Sequence, residues 1–318
     1  MKARLFAAAI LLIFAPVAFA QYPAKPIRVV VPFPAGGPTD VVTRVVSEKL
    51  AQVLGQPVIV ENKPGAGGAI GSDIAAKSPA DGYTLVMATS STHSIGPYLG
   101  KLPYDPVKDF VPIVWVGNAT NILVAAPQLN VSTVKELINV AKKKPGEVTY
   151  ATSGIGTVVH LTSEHFASMA GVKLTHVPYK GVQLSIPDLQ AGRVSILFDN
   201  IMTALPHIKS GKVKALGISS SGRSALVPDI PTIAETGLPG FESVTWFGLF
   251  GPANTPKPVV DRINVEVNKI LQLADVKDRF VQLGFDPAGG TPDQFTQTIA
   301  RDAAKWSKVI KDNNVKPE

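Results

Sequence analysis

Three turns rich in glycine and hydroxyl side chains carry the residues of this sequence that are best suited to bind an anion. They are residues 32–40 (PFPAGGPTD), 88–94 (ATSSTHS) and 151–157 (ATSGIGT). Glycine lets a ligand approach the backbone closely, and exposed N–H groups at the start of a helix bind negatively charged oxygen. Each turn taken alone is also compatible with a plain strand-to-helix connection. Two such turns facing one cleft would suit a small anionic molecule.

All three turns directly follow a run of residues that is typical of a buried strand. Short β-rich runs alternate with helical patterns along the chain, which predicts an α/β fold with parallel strands. In the first unit the predicted strands are 27–32, 58–61 and 84–88, and the predicted helices are 39–54 and 69–77. Ligands of open α/β sheets bind at the carboxyl ends of strands, so we expect such turns to meet there.

A second α/β unit follows an extended stretch at residues 110–126. Its predicted helices are 133–144, 158–169 and 185–191, and its predicted strands are 148–152, 175–178, 194–198 and 214–218. The strand-like run 244–250 and two helical patterns, 258–273 and 292–310, close the chain. One economical arrangement returns these C-terminal helices to the first unit and makes the second unit an insertion.

The N-terminus has the features of a secretory signal peptide. A basic start precedes an apolar run from Leu5 to Phe14, and the small residues of Ala18–Phe19–Ala20 fit a signal peptidase site. The alternative is a membrane anchor, but residues 5–20 are fewer than the roughly 20 that a spanning helix needs. Cleavage after Ala20 predicts an exported, periplasmic protein, and the absence of a following cysteine excludes a lipid anchor.

The composition excludes several classes of function. The 318 residues contain no cysteine, which excludes disulfide scaffolds, thiol nucleophiles and iron–sulfur clusters. The net charge of +7 comes from basic residues spread along the chain, whereas nucleic-acid proteins concentrate them, so we expect no nucleic-acid partner. The length favours two domains that share a cleft.

An enzyme is the alternative from another class: a secreted hydrolase with Ser90 or Ser153 as nucleophile and His93 or His160 as base. The spacing does not favour it, because the sequence contains no GxSxG nucleophile elbow. A glycine run at 65–71 places its last glycine one position late for a dinucleotide fingerprint, and no strand immediately precedes it. The histidines lack metal-ligand spacing, so we expect no metal. Without a nucleophile elbow or a dinucleotide fingerprint, we also expect no catalytic residue and no cofactor.

Five motifs together resemble the substrate-binding proteins of tripartite tricarboxylate transporters, the Bug family. In matching order they are 32–40, 88–93, 152–157 with His160, 177–181, and 229–232 with 246–248. The resemblance implies a type II periplasmic-binding-protein fold, in which two doubly wound α/β domains are joined by two crossing strands. We expect domain 1 at residues 21–118 and 245–318 and domain 2 at residues 119–244, after a signal peptide at residues 1–20.

The resemblance also implies a ligand and the residues that bind it. A monomeric protein would capture a small mono- or dicarboxylate by domain closure and hand it to membrane permease subunits, or report it to a membrane signalling system. Backbone and hydroxyl donors of the first and third turns would hold the carboxylate without a charged clamp. The expected ligand contacts are Phe33, Ala35, Gly36, Gly37, Thr39, Ser90, His93, Thr152, Ser153, Gly156, Thr157, Tyr179, Lys180 and Asp199.

Two features leave alternatives open. Asp199 ends a predicted strand, where its side chain could bind a ligand amine or hydroxyl or could cap a turn. Residues 182–186 (VQLSI) depart from the family pattern, since many relatives have smaller residues there, commonly alanine. Larger side chains at these positions would alter the pocket wall, so the sequence does not identify the carboxylate.

Overall fold

The chain forms a mixed α/β structure on one continuous curled sheet, seen in a computed structural model that describes residues 22–313 and 315. The predicted signal peptide, residues 1–20, lies outside the described residues. Among the residues that are described, no helix is both long and apolar enough to cross a membrane.

Strands and helices alternate over most of the described chain. The strands are β1 Ile27–Val31, β2 Val58–Asn62, β3 Thr84–Thr89, β4 Phe110–Ala125, β5 Thr149–Thr152, β6 Thr175–Pro178, β7 Ile196–Asn200, β8 Lys214–Ile218, β9 Val244–Pro252 and β10 Phe285–Pro287. The α-helices are α1 Pro38–Leu54, α2 Ala69–Ala76, α3 Val134–Lys143, α4 Val158–Ala170, α5 Val182–Gln190, α6 Ile201–Lys209, α7 Ile233–Thr236, α8 Lys257–Ile270, α9 Ala274–Gln282 and α10 Pro292–Asp312.

The long strand β4 connects two halves of the sheet. The strand order is β2-β1-β3-β9-β4-β7-β5-β6, and β8 and β10 also pair with β4. In the first half β1 is parallel to β2 and β3, and in the second half β5 is parallel to β6 and β7. The start of β4 pairs with β9, whereas its end, residues 121–125, pairs with β7 and β8. The predicted α/β class with parallel strands is confirmed.

The C-terminal helix α8 packs on the first half. Val42, Val46 and Leu50 lie on one face of α1 and share a buried cluster with Ile263 and Val267 of α8. Apolar residues at this helical spacing form the stripe by which a helix packs on a core. Burying each such side chain contributes about 1.5–3 kcal/mol, so α8 is an integral part of the first half.

The last helix contacts both halves. Trp306 of α10 is fully buried in a cluster with Leu137 of α3 and Phe198 of β7, which belong to the second half, and with Ile95 of the first. The indole N–H of Trp246 in β9 donates to the Asp302 carboxylate of the same helix (2.7 Å). α10 therefore braces the two halves on one side.

Several helices differ from the sequence-based expectation. α5 begins three residues before the expected 185, and α6 was not expected because Pro206 lies inside it and proline normally ends a helix. The expected helix 258–273 ends at Ile270 and is followed by the separate α9. α9 buries only Val276 and Phe280, too few apolar residues to show a helical period in the sequence.

Candidate functional site

A small cavity lies between the two halves, where β1, β3, β5 and β7 end and α1 and α4 begin. Its volume is about 50 Å³, and we call it the inner cavity. Carboxyl ends of parallel strands are where α/β proteins bind ligands. Its polar wall includes Thr39, Thr89, Ser91, Ser153, Asp199, Asn200 and Thr245, and its apolar wall includes Phe33, Pro34, Pro38, Val158, Val159, Val182 and Phe247. No described lysine or arginine lines it.

The first turn, between β1 and α1, is held rigid by the Asp40 carboxylate. Its Oδ2 accepts from the backbone N–H of Gly36 (2.9 Å) and from Nε of Arg44 (2.9 Å), and its Oδ1 accepts from Nδ2 of Asn62 (3.0 Å). The Asn62 amide also donates to the Phe33 carbonyl (3.1 Å). Burial alone would raise the pKa of Asp40, but the bonds from Arg44, Gly36 and Asn62 outweigh it and lower the pKa. The ionised carboxylate therefore fixes the loop at the start of α1.

Replacing Asn62 by alanine is expected to loosen this loop without removing a side chain from the inner cavity. The Phe33 carbonyl and Asp40 each lose a hydrogen bond, so the free energy of unfolding should fall by about 1–2 kcal/mol. Amide hydrogen exchange over residues 33–40 should accelerate about tenfold. Asn313→Ala is the control, because within the described part of the chain that amide donates only to the Val309 carbonyl. Unchanged exchange in Asn62→Ala would contradict the bracing role.

The side chains of the third turn are used to build the turn itself. Thr157 caps α4, since its Oγ1 donates to the Gly154 carbonyl (2.7 Å) and accepts from the His160 backbone N–H (3.4 Å). Oγ1 of Thr152 accepts from the Gly154 N–H (3.2 Å) and bonds Nε2 of His176 (2.7 Å). These hydroxyls shape the turn and leave Ser153 and the start of α4 at the inner cavity.

Two stacked histidines support this turn from behind. The rings of His160 and His176 lie 4.3 Å apart between centroids, and His176 stacks in turn on Tyr150 at 4.9 Å. Burial, with a smaller effect of His176, lowers the pKa of His160 to about 3, so its ring is neutral near pH 7. Nδ1 of the neutral ring accepts from the Gly156 N–H (3.2 Å). His160 is therefore a support of the turn.

The second turn is a π-helical turn, Ser91–Ile95, that links the two halves. Oγ of Ser91 accepts from the backbone N–H of Val158, the first residue of α4 (2.9 Å). Oγ of Ser90 accepts from the backbone N–H of Trp246 in β9 (3.1 Å). Ser91 thus lines the inner cavity and bonds the second half, whereas Ser90 is fully buried in the wall.

The floor of the inner cavity is a network of buried polar side chains. Nδ2 of Asn200 donates to Oδ1 of Asn121 (2.5 Å), which also accepts from the Thr245 hydroxyl (3.3 Å). Among the described residues, Asp199 Oδ2, Asn121 Nδ2 and Thr89 Oγ1 are buried without a hydrogen-bond partner. Buried polar atoms are otherwise nearly always hydrogen-bonded. Asp199 and Thr89 line the cavity, so their free oxygens can bind polar atoms of a ligand.

Asp199 changes charge near neutral pH. Its side chain is almost fully buried, and this burial raises its pKa to about 7 against smaller opposing effects of Thr203 and the Asn200 N–H. Oδ1 accepts from that N–H (2.7 Å), so Oδ2 is the oxygen available to a ligand. A protonated Asp199 can donate to an anionic oxygen, whereas the ionised form accepts from a hydroxyl or an ammonium group.

The structure brings some of the predicted contacts together and separates others. Phe33, Gly37, Thr39, Ser153 and Asp199 line the inner cavity. Tyr179 and Lys180 line a neighbouring cavity that also touches Phe33 and Ser153, and Gly36 lines a larger cavity described below. Ala35 is exposed, Gly156 lines a separate cavity beside Leu99, and Ser90, Thr152 and Thr157 are buried supports.

His93 does not line the inner cavity. Its ring lies between Phe110 and Phe250, with centroid distances of 4.7 and 4.4 Å, and borders a separate apolar cavity. Nδ1 bonds the Thr92 hydroxyl (2.9 Å), and burial lowers the pKa of His93 to about 3. The π-helical turn directs this ring into the first-half core, so we remove it from the candidate ligand contacts.

The hydrolase alternative finds no catalytic pair in the described residues. Neither Ser90 nor Ser153 hydrogen-bonds to His93 or His160 there, although a Ser–His pair needs such a bond to activate the nucleophile. The described residues also contain no group of three or more His, Asp or Glu that could hold a metal ion.

The sequence analysis did not name Thr89, Ser91, Asn200 and Thr245, which line the inner cavity, or Asn121, which bonds two of them. Thr89 and Ser91 flank Ser90 in the second turn, and Asn200 follows Asp199. Their closeness in sequence to predicted ligand contacts was therefore a signal that could have identified them. Gln183 lies in the segment that departs from the family pattern. Asn121 and Thr245 sit inside strands, where a single polar residue in an apolar run has no local signature.

Comparison with known proteins agrees with this architecture. Residues 42–315 match the sequence model of the tripartite tricarboxylate transporter family receptor, TctC. R. palustris Rpa4515 with adipate has a TM-score of 0.91 at 33% identity, covering 93% of this chain and 100% of that chain. The periplasmic binding protein BugD has a TM-score of 0.88 at 35% identity, with coverage of 93% and 100%. MatC from Rhodopseudomonas palustris with bound malate has a TM-score of 0.86 at 34% identity, with coverage of 91% and 100%.

The similarity extends over both halves of the chain. Structural likeness at this level of identity and coverage includes the two-domain architecture of periplasmic binding proteins. The chain therefore belongs to the TctC family, the periplasmic solute-binding receptors of tripartite tricarboxylate transporters that include the Bug proteins.

Proposed function

We propose that this protein captures a small carboxylate in the periplasm by closing its two halves and delivers it to the membrane permease subunits of a tripartite transporter. The observation that carries the proposal is the inner cavity. It lies between the halves, at the N-termini of α1 and α4, and its described lining contains hydroxyls and backbone but no basic side chain. This is the chemistry of an anion site made of oriented N–H groups.

The energetics suit a receptor that must also release its ligand. Each helix N-terminus contributes about 0.3–1 kcal/mol to anion binding, and up to ~2 kcal/mol when partly buried. Micromolar affinity requires a binding free energy of about −8 kcal/mol. Charge-assisted hydrogen bonds and desolvation on closure supply the part that the helix N-termini do not. The bond from the Val158 N–H to Ser91 joins the halves at the cavity and belongs to the closed arrangement that a ligand would stabilise.

The relatives support the class of ligand. One is seen with adipate and another with malate, and both are carboxylates. We propose Phe33, Gly37, Thr39, Ser153 and Asp199 as contacts, together with Thr89, Ser91, Gln183 and Asn200. The proposal includes export by the N-terminal segment, a monomeric receptor and a hinge at residues 118–119 and 244–245.

Calorimetry against a panel of carboxylates tests this function. We expect one-to-one binding of at least one mono- or dicarboxylate, with recovery of the unchanged compound after dissociation. The panel contains dicarboxylates, aromatic acids and acidic amino acids. Neither heat nor a thermal shift with any member would contradict the proposal, and chemical conversion of a bound acid would revive the hydrolase.

A further inference from the structure

A second cavity opens beside the inner cavity and is much larger. Its volume is about 510 Å³, compared with about 50 Å³ for the inner cavity, and we call it the outer chamber. Val182, Gln183 and Asp199 line both cavities, so the two are separated only by side chains. Ligand pockets of proteins have volumes of ~300–1,000 Å³, a range that the outer chamber reaches and the inner cavity does not.

The outer chamber is an elongated groove between two helices of the second half. Gln183, Ile186, Pro187 and Gln190 line it from α5 at positions i, i+3, i+4 and i+7, which lie on one helix face. Seven residue steps at 1.5 Å give this face a length of about 10 Å. Met202 and three further residues of α6 face it. The groove therefore has the length of a chain of several carbon atoms or of a substituted ring.

The first half of the molecule completes the outer chamber. Val41, in the first turn of α1, and Leu283, at the end of α9, line it opposite α5 and α6. Apolar side chains in its lining are Val41, Val182, Ile186, Pro187, Met202, Pro206 and Leu283. The part of a ligand that lies in this chamber would touch both halves. Closure of the halves would enclose it together with a carboxylate group in the inner cavity.

Gln183 stands at the junction of the two cavities. A Cβ on Gly37 would lie 2.7 Å from Nε2 of Gln183, so this side chain spans from α5 to the first turn. The described residues contain no hydrogen bond to its amide, and the side chain is only half-buried. An unbranched side chain with a free amide can rotate aside and can bond a ligand that passes it.

We propose that the ligand is an elongated carboxylate. Its carboxylate group occupies the inner cavity, and its apolar body passes Gln183 into the outer chamber. This inference rests on the proposed carboxylate function. The inner cavity alone has room for little more than the anionic group. Lys212, an exposed residue at the chamber, has no ion pair among the described residues and can attract a second carboxylate at the far end.

Two tryptophan variants on the same helix test this inference. Pro187→Trp adds bulk at the chamber, whereas Leu184→Trp adds the same bulk at a position that is 58% exposed and lines neither cavity. Calorimetry compares succinate with two longer acids, adipate and phenylacetate. At least one longer acid should bind native protein about tenfold more tightly than succinate, because more apolar surface is buried. Pro187→Trp should remove that advantage, and Leu184→Trp should keep it.

Met202→Trp repeats the test from α6 and should give the same selective loss, so the result does not depend on the folding of one variant. Two outcomes overturn the outer chamber while leaving the carboxylate function standing: succinate that binds as tightly as both longer acids, and tryptophan variants that weaken all acids equally. Failure of every carboxylate to bind native protein overturns the proposed function and this inference with it.

Discussion

Replacing Gly37 by valine is expected to abolish carboxylate binding and to leave the fold intact. Gly37 has extended backbone angles, φ −78° and ψ 169°, which valine adopts without strain. A Cβ there would lie 2.7 Å from Gln183 Nε2 and 3.2 Å from the Pro34 carbonyl oxygen. Gln183 can rotate aside, but Gly37 lines the inner cavity of about 50 Å³, so the methyl groups of valine fill space that the carboxylate would occupy. Calorimetry should show an affinity loss of about a hundredfold or more, equivalent to about 2.7 kcal/mol.

The control for this variant is Gly222→Val. Gly222 has no heavy atom within 4 Å of its added Cβ, so valine there should change neither affinity nor melting temperature. Native affinity in Gly37→Val would show that the carboxylate does not bind at the first turn.

The second prediction concerns Asp199 and pH. Burial raises the pKa of Asp199 to about 7, whereas an unfolded chain has an ordinary carboxyl near 3.8. The folded protein therefore binds the proton more tightly, and stability falls as pH rises from about 4 to about 7. A difference of this size corresponds to a loss on the order of 4 kcal/mol. Asp199→Asn keeps an acceptor for the Asn200 N–H but cannot ionise, so its unfolding free energy should lack this slope.

Urea unfolding of both proteins at pH 5 and pH 8 measures the difference. The native protein should be the more strongly destabilised at pH 8, and parallel changes in the two proteins would contradict the raised pKa. Binding provides an independent readout at the same residue. Affinity for a carboxylate should weaken above pH 7, where ionised Asp199 repels it, and an opposite slope would indicate a ligand ammonium group beside Asp199.

Much of the fold was predictable because local patterns specify local structure. The apolar run of β1 and the helical spacing of Val42, Val46 and Leu50 in α1 each indicate one element with a buried face. Prediction failed where those patterns were weak or contradicted. Pro206 concealed α6, and α9 has too few buried residues to reveal its period.

The candidate site was predictable by region and not by side chain. The first turn lines the inner cavity, and glycines and a helix start mark this turn in the sequence. In the second turn three neighbouring polar residues have three different environments: Ser90 is buried under Trp246, Ser91 lines the inner cavity, and His93 packs between Phe110 and Phe250. No local rule separates them, since their directions follow from a π-helical turn and from partners in distant strands.

The sequence by itself determined the α/β class, the order of most elements and the turns that can present N–H groups to an anion. These properties depend on residues close together in the chain, such as Gly37 at the start of α1. The tertiary structure alone decided that Asn121 and Thr245 join Asn200 in the cavity floor and that Gln183 reaches Gly37. Those contacts join residues far apart in sequence, and their geometry depends on how β4 and β9 run side by side between the two halves.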